Sequence, residues 1–130
     1  MDSIFTKIVK GEIPAHKIAE DDRFLAFLDV YPLQLGHTLV IPKQQIDYIF
    51  DLEDSLLADL MVFAKKVGKA VHKATGCTRV GVTVIGLEVP HTHVHLIPIS
   101  KMDDMNFSHP KKKFPGEEMA AIAQKIREHL

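Results

Sequence analysis

His91, His93 and His95 stand at alternate positions in the run Val89-Pro-His-Thr-His-Val-His-Leu-Ile-Pro-Ile99. A β-strand projects every second side chain onto the same face, so an extended run here lines three imidazoles along one surface. The intervening and flanking residues, Thr92, Val94, Leu96, Ile97 and Ile99, are β-favouring and largely apolar, as a packed strand requires. The pattern predicts a strand over residues 92–99.

The rest of the chain supplies partners for that strand. Residues 3–10 predict a short helix, stopped by Gly11 and Pro14. Two short strands follow at 16–20 and 23–28, separated by the turn dipeptide Asp21-Asp22. Residues 30–36 form a loop containing Pro32 and Gly36, and His37–Ile41 is a buried strand ended by Pro42. The clearest helix spans 52–74, where Leu56, Leu60, Phe63, Val67, Ala70, Val71 and Ala74 keep the spacing of one apolar face. Asp51 suits its N-cap and Gly76 the left-handed position past its end. A strand over 79–86 precedes the histidine run, and a second helix over 117–130 closes the chain. Strands, helix, strands, helix is an α+β order, with an antiparallel sheet carrying helices.

The chain has 130 residues, enough for one domain with a sizeable core. Hydrophobic residues make up 46% and charged residues 25%, the balance of a globular protein. A formal charge of −1 offers no basic field, so no nucleic-acid partner is expected. Its one basic cluster, Lys111-Lys112-Lys113, reads as a solvated loop. The single cysteine, Cys77, excludes an intramolecular disulfide and a cysteine-rich zinc site. No stretch reaches the ~20 apolar residues that span a bilayer, and the N-terminus lacks a signal-peptide core. The expectation is a soluble, cytoplasmic, single-domain protein without a membrane partner.

Three chemistries compete for the histidines. The rings can be buried and satisfied by backbone carbonyls. They can ligate a metal, two strand histidines reaching one ion while a third ligand comes from elsewhere. The neighbourhood holds no cysteine pair, though, and His72 and Glu53 read as helix surface. The third reading is nucleophilic and acid–base catalysis at phosphorus. There the middle ring, His93, attacks, and its neighbours orient it, donate to phosphate oxygens and protonate a leaving group. His37, which follows Gly36 at the entry to a strand, is placed to reach the same pocket from the other side.

Leu35-Gly-His-Thr-Leu-Val-Ile-Pro-Lys43, followed about fifty residues later by His91-Thr-His-Val-His-Leu-Ile97, resembles the histidine triad (HIT) family of nucleotide hydrolases and transferases. That family's signature is His-φ-His-φ-His-φ-φ, with φ apolar; Val94, Leu96 and Ile97 fit, and Thr92 is a semi-polar substitute. The opening is similar to the Hint branch, the small nucleoside phosphoramidases, through Ser3-Ile-Phe-Thr-Lys-Ile-Val-Lys-Gly-Glu-Ile-Pro-Ala15 and Glu20–Asp29. The resemblance spans residues 1–100. It implies a HIT-like α+β fold and a homodimer, and a purine nucleotide substrate cleaved at its α-phosphorus as a phosphoramidase or dinucleotide hydrolase would cleave it. It implies no cofactor and no metal.

Residue by residue, the resemblance implies His93 as the nucleophile that forms a nucleotidyl-imidazole. His91 and His95 would position that ring and bond the α-phosphate, and His37 would support the phosphate end. Asp29 would accept hydrogen bonds from both ribose hydroxyls, which a carboxylate can do. Ile4, Phe5, Ile8, Phe27, Val30 and Leu39 would wall the base, each with ordinary core as its alternative, and backbone amides around Glu88 and Val89 would meet the phosphate. The chain departs from the pattern over Val80–Pro90, where only Gly86 is kept. Val80 stands in place of an amide residue, and Leu87 and Glu88 replace a glutamine and a hydroxyl residue. Altered leaving-group recognition, or a module that binds nucleotide without turnover, follows from that departure. The segment from Lys101 to Leu130 lies outside the resemblance and either caps the pocket mouth or extends an interface.

Overall fold

The computed structural model describes all 130 residues. Five antiparallel strands form one sheet, β1 (Lys17–Glu20), β2 (Phe24–Leu28), β3 (Thr38–Pro42), β4 (Arg79–Thr83) and β5 (Val94–Ile99), in the order β1-β2-β3-β5-β4. Three helices accompany it, α1 (Ile4–Val9), α2 (Asp54–Thr75) and α3 (Gly116–Arg127). The architecture is α+β, as the element order predicts. No helix is long and apolar enough to cross a membrane.

Alternation along the strands sorts two apolar layers. Phe24, Ala26, Leu28, Val40, Val94 and Leu96 face α2 and form the main core with Leu60, Ala64, Val67 and Val71. Leu25, Phe27, Leu39 and Ile41 face the other way, against Phe5 and Ile8 of α1. His95 pairs with Leu39 on β3 and Thr83 on β4, so its ring shares the α1 side of the sheet. The register thus puts the main core on one face and His95 on the other.

Three expected boundaries shift for identifiable reasons. Asp51 does not cap α2. It belongs to a 3-10 turn, Ile49–Asp51, after which the buried Leu52 takes an extended backbone into the core and the helix starts beyond Glu53. Gly76 does end α2, with φ of 67°. β5 begins at Val94 rather than residue 92, because the Thr92 amide and hydroxyl both donate to the Ile46 carbonyl at 2.7 Å. That pair of bonds draws the chain off the sheet, and β4 accordingly stops at Thr83, opposite His95. Only one of the three alternating histidines therefore lies on a strand.

Candidate active site

The histidines still converge, through backbone anchors rather than a strand face. His91 is fully buried, its Nε2 2.8 Å from the Pro42 carbonyl and its Nδ1 2.7 Å from Ser3 Oγ. A carbonyl only accepts, so the ring's proton sits on Nε2 and Nδ1 accepts from the Ser3 hydroxyl. His93 Nδ1 lies 2.7 Å from the His91 carbonyl and must donate to it. Neutral His93 is left with a bare lone pair on Nε2. His37 Nδ1 accepts from the Leu33 amide at 3.0 Å, which sends its proton to Nε2, 2.9 Å from His95 Nδ1. His95 Nδ1 then accepts, and the proton of His95 rides on Nε2. Backbone and hydroxyl anchors fix three tautomers directly and that of His95 through His37, and the outcome is one free ring nitrogen on His93 beside one N–H donor on His95. The His93 and His95 rings meet edge to face with centroids 4.9 Å apart.

Burial favours the neutral form of His37, His91 and His95. It pushes His37 down to about 3 and, with neighbouring His93 adding to it, His95 down to about 4. Burial lowers His91 as well, against the opposing pull of the Pro42 carbonyl. Asp29 moves the other way: burial raises its carboxyl even though Oδ1 accepts from the Tyr31 amide at 2.9 Å. Its Oδ2 lies 3.7 Å from His37 Nε2, a contact with a neutral ring and not an ion pair.

Asp29, His37 and His95 offer ligand atoms within 4.8 Å of one another, close enough to hold a cation. Proton placement argues against that use. His37 Nε2, the atom a metal would need, carries the ring's only proton while Nδ1 is occupied by the Leu33 amide. The cluster is a proton chain from a backbone amide to the His95 Nε2–H.

A cavity of about 380 Å³ opens over His93 and His95. Of the residues expected from sequence, Ile4, Phe5, Asp29, Val30, Leu39, Glu88, Val89, His93 and His95 line it. His91, His37, Ile8 and Phe27 do not; they are buried behind it. Phe27 and His91 back the Phe5 ring, which in turn packs edge-on against His93 at 5.0 Å. His91 has no nitrogen free for a phosphate, so its part is to hold His93. Val80 lies on the opposite sheet face, beside Met61 and Ala64, so its departure from the family pattern does not touch the cavity. Among the amides expected to meet phosphate, His91 N–H is taken by the Val89 carbonyl at 2.8 Å, and Pro90 has none. The Glu88 and Val89 amides are left at that lip.

Sequence reasoning missed Tyr31, Ile85 and Lys111 in the wall, and it reached Phe107 only as part of the Met102–Phe107 segment expected to cap the pocket mouth. Phe107 packs its ring against His95 at 5.1 Å. The segment after residue 100 therefore does reach the pocket mouth. Lys111 to Lys113 are exposed, as in a solvated loop, yet Lys111 also turns to the cavity. Nothing in the tail's composition marks either residue. Their placement comes from the 3-10 turn Met102–Met105, whose Met105 lies where a side chain at Gly81 would be.

Residues 10–102 match the family described as HIT domain. An adenosine 5′-monophosphoramidase of Schizosaccharomyces pombe is 36% identical over 128 residues, covering 97% of this chain and 96% of that protein. An adenylylsulfatase of Arabidopsis thaliana is 31% identical, covering 99% of this chain and 70% of that protein. Among solved structures, a Hit-like protein involved in cell-cycle regulation from Bartonella henselae superposes with a TM-score of 0.86 at 33% identity, covering 99% of this chain and 96% of that one.

Proposed function

This chain belongs to the HIT domain family, and from that premise we propose that it hydrolyses purine nucleotides at the α-phosphorus through a covalent nucleotidyl-His93. The observation that carries the reading is the tautomer set: His93 Nδ1–H is committed to the His91 carbonyl at 2.7 Å, which leaves Nε2 free to attack. Relatives named as an adenosine 5′-monophosphoramidase and an adenylylsulfatase support a nucleoside 5′-phosphoramidate or a related adenylyl compound as substrate.

In the first step His93 Nε2 forms a bond to phosphorus as the bond to the leaving group breaks. The leaving amine departs with a proton taken up from solvent, while the neutral His95 keeps its Nε2–H and donates it as a hydrogen bond to a phosphate oxygen beside His93. In the second step water gives its hydroxyl to phosphorus and its proton to solvent, the bond from phosphorus to His93 Nε2 breaks, and the nucleotide leaves. Asp29 takes the ribose hydroxyls, and Ile4, Phe5, Val30 and Leu39 take the base, with Ile8 and Phe27 supporting them from behind. The amides of Glu88 and Val89 are the fixed donors for developing phosphate charge. The scheme uses no metal and no cofactor.

A second reading has one observation in its favour. Glu88 stands at the cavity lip, where a carboxylate repels phosphate, which favours a module that binds nucleotide without turnover. A fluorogenic adenosine 5′-phosphoramidate decides between the two. Release of amine that persists in EDTA and falls about a thousandfold or more in His93→Ala is the expected result. Tight AMP binding with no release establishes the module instead, and release abolished by EDTA points to metal chemistry.

A further inference from the structure

A nucleotide brings at least one full negative charge into this cavity, and the walls hold little to meet it. Among the cavity's histidines, burial holds His95 in its neutral form, and His37 behind it as well. Asp29 and Glu88 are acids. The one full positive charge in the wall belongs to Lys111.

Its position is built rather than incidental. The neighbouring residue is tied twice to the loop between β2 and β3: the Lys112 amide donates to the Pro32 carbonyl at 2.9 Å, and Lys112 Nζ donates to Gln34 Oε1 at 2.9 Å. Gln34 Nε2 in turn reaches the Asp104 carbonyl at 3.4 Å. Four residues before Lys111, Phe107 packs edge-on against His95. The tail is thus fastened on both sides of Lys111, which places its side chain, 40% exposed, at the mouth of the cavity. Its field disfavours protonation of His37 and His95 and opposes the rise at Asp29. Its partner is loose, Glu88 Oε2 at 3.9 Å, with the Glu88 side chain 85% exposed. A contact that long and that wet is readily exchanged for a phosphate oxygen.

We propose that Lys111 is the anion-binding residue of this cavity, meeting the phosphate and a negatively charged leaving group, with Glu88 as its displaceable counter-ion. The inference rests on the nucleotide-hydrolase reading and adds a preference to it: acidic leaving groups gain from Lys111, and neutral amines gain less. Glu88 limits that gain while it competes for the ammonium.

Two substrates sharing adenosine test the point, the 5′-phosphoramidate and the 5′-phosphosulfate, with AMP affinity measured by calorimetry beside them. In Lys111→Met, kcat/KM for the phosphosulfate is expected to fall about 10- to 100-fold, the range of a charge-assisted hydrogen bond. For the phosphoramidate the expected loss is several-fold smaller, and AMP affinity falls as well. Lys111→Arg restores most of the loss, Glu88→Gln tightens AMP, and Lys113→Met, outside the cavity wall, changes neither substrate. Equal losses on both substrates, or none, in an enzyme that turns them over would overturn the role of Lys111 and leave the hydrolase reading standing. A wild-type protein that hydrolyses neither substrate overturns the hydrolase reading instead, and AMP binding then decides: unchanged affinity in Lys111→Met, or no AMP binding at all, removes the inference too.

Discussion

At three of the four histidines the atom bearing the ring proton is dictated by a backbone or hydroxyl group, and at His95 by the His37 Nε2–H. That arrangement has a thermodynamic consequence at His95. Its folded pKa of about 4 lies below the ordinary value of 6.5, so below pH 6.5 the unfolded chain binds the proton that the folded one refuses. The stability due to the neutral ring is complete above pH 6.5 and is lost as pH falls toward 4, on the order of 3 kcal/mol over that window. Urea midpoints at pH 7 and pH 4.5 are expected to show the drop, and His95→Gln should lose less on acidification than wild type. A flat wild-type midpoint would contradict the neutral ring. At Asp29 burial raises the carboxyl, so nucleotide affinity should weaken on acidification earlier than an ordinary carboxylate would dictate. Asp29→Asn keeps an acceptor for the Tyr31 amide but gives up one of the two it offers ribose. It is expected to weaken AMP binding about tenfold while leaving a 2′,3′-dideoxy analogue little changed. Equal weakening of both nucleotides would remove Asp29 from the sugar.

Among the elements, α1 looks like a minor decoration, yet its first turn holds the histidine row. Ser3 caps the helix by accepting from the Thr6 amide at 3.0 Å, and the same hydroxyl reaches His91. Gln45 closes the group, its Oε1 accepting from the Ser3 amide at 2.7 Å and from the Thr6 hydroxyl at 2.6 Å. Ser3→Ala leaves the buried His91 Nδ1 unpaired, at a cost of about 1–3 kcal/mol in stability. Because His91 holds His93 through its carbonyl, kcat should fall more than KM rises, and Ser3→Thr should restore it. A stability loss with kcat intact would reduce Ser3 to a helix cap. Little of this was legible in the sequence: Ser3 and Thr6 were visible only as part of a family-like opening, and Gln45 not at all, because the group forms across forty residues of chain. The body of α2 was legible, since seven apolar positions share one face, but its start was not. Leu52 fits the helical spacing and yet packs as extended chain. The triad was legible as a motif for the wrong geometric reason: Thr92 breaks the strand, and Ser3, Pro42 and His91 carbonyl anchors do what alternation was expected to do. Lys111 escaped, and Phe107 was reached only within its segment, because a turn packed over Gly81, and no local pattern, brings them to the site.

For the molecule as a whole, the two edges of the sheet are treated differently. At β1 the edge is covered, with Arg127 of α3 donating to the Lys17 carbonyl at 2.6 Å. At β4 no element of the chain pairs with the outer edge. Val82 on that strand is 53% exposed, and Met61 and Val62 on α2 are exposed beside it. A largely apolar groove of about 290 Å³ runs between strand and helix, lined by Met61, Ala64, Gly68, Val80, Val82 and Leu96, with Lys65 its one charged residue. An open strand edge next to an apolar groove invites a partner strand, and an edge left bare is a site of unwanted association. The partner argued for is a second copy of this chain, because the same edge and the same groove on both molecules make a self-complementary pair about a two-fold axis. The prediction is a homodimer at tens of micromolar by light scattering coupled to size exclusion. Val82→Asp places a carboxylate in the shared seam and is expected to give a monomer with unchanged far-ultraviolet circular dichroism. A wild type that elutes as a monomer at that concentration rules the pairing out. Should Val82→Asp remain dimeric, the interface lies on another face of the molecule.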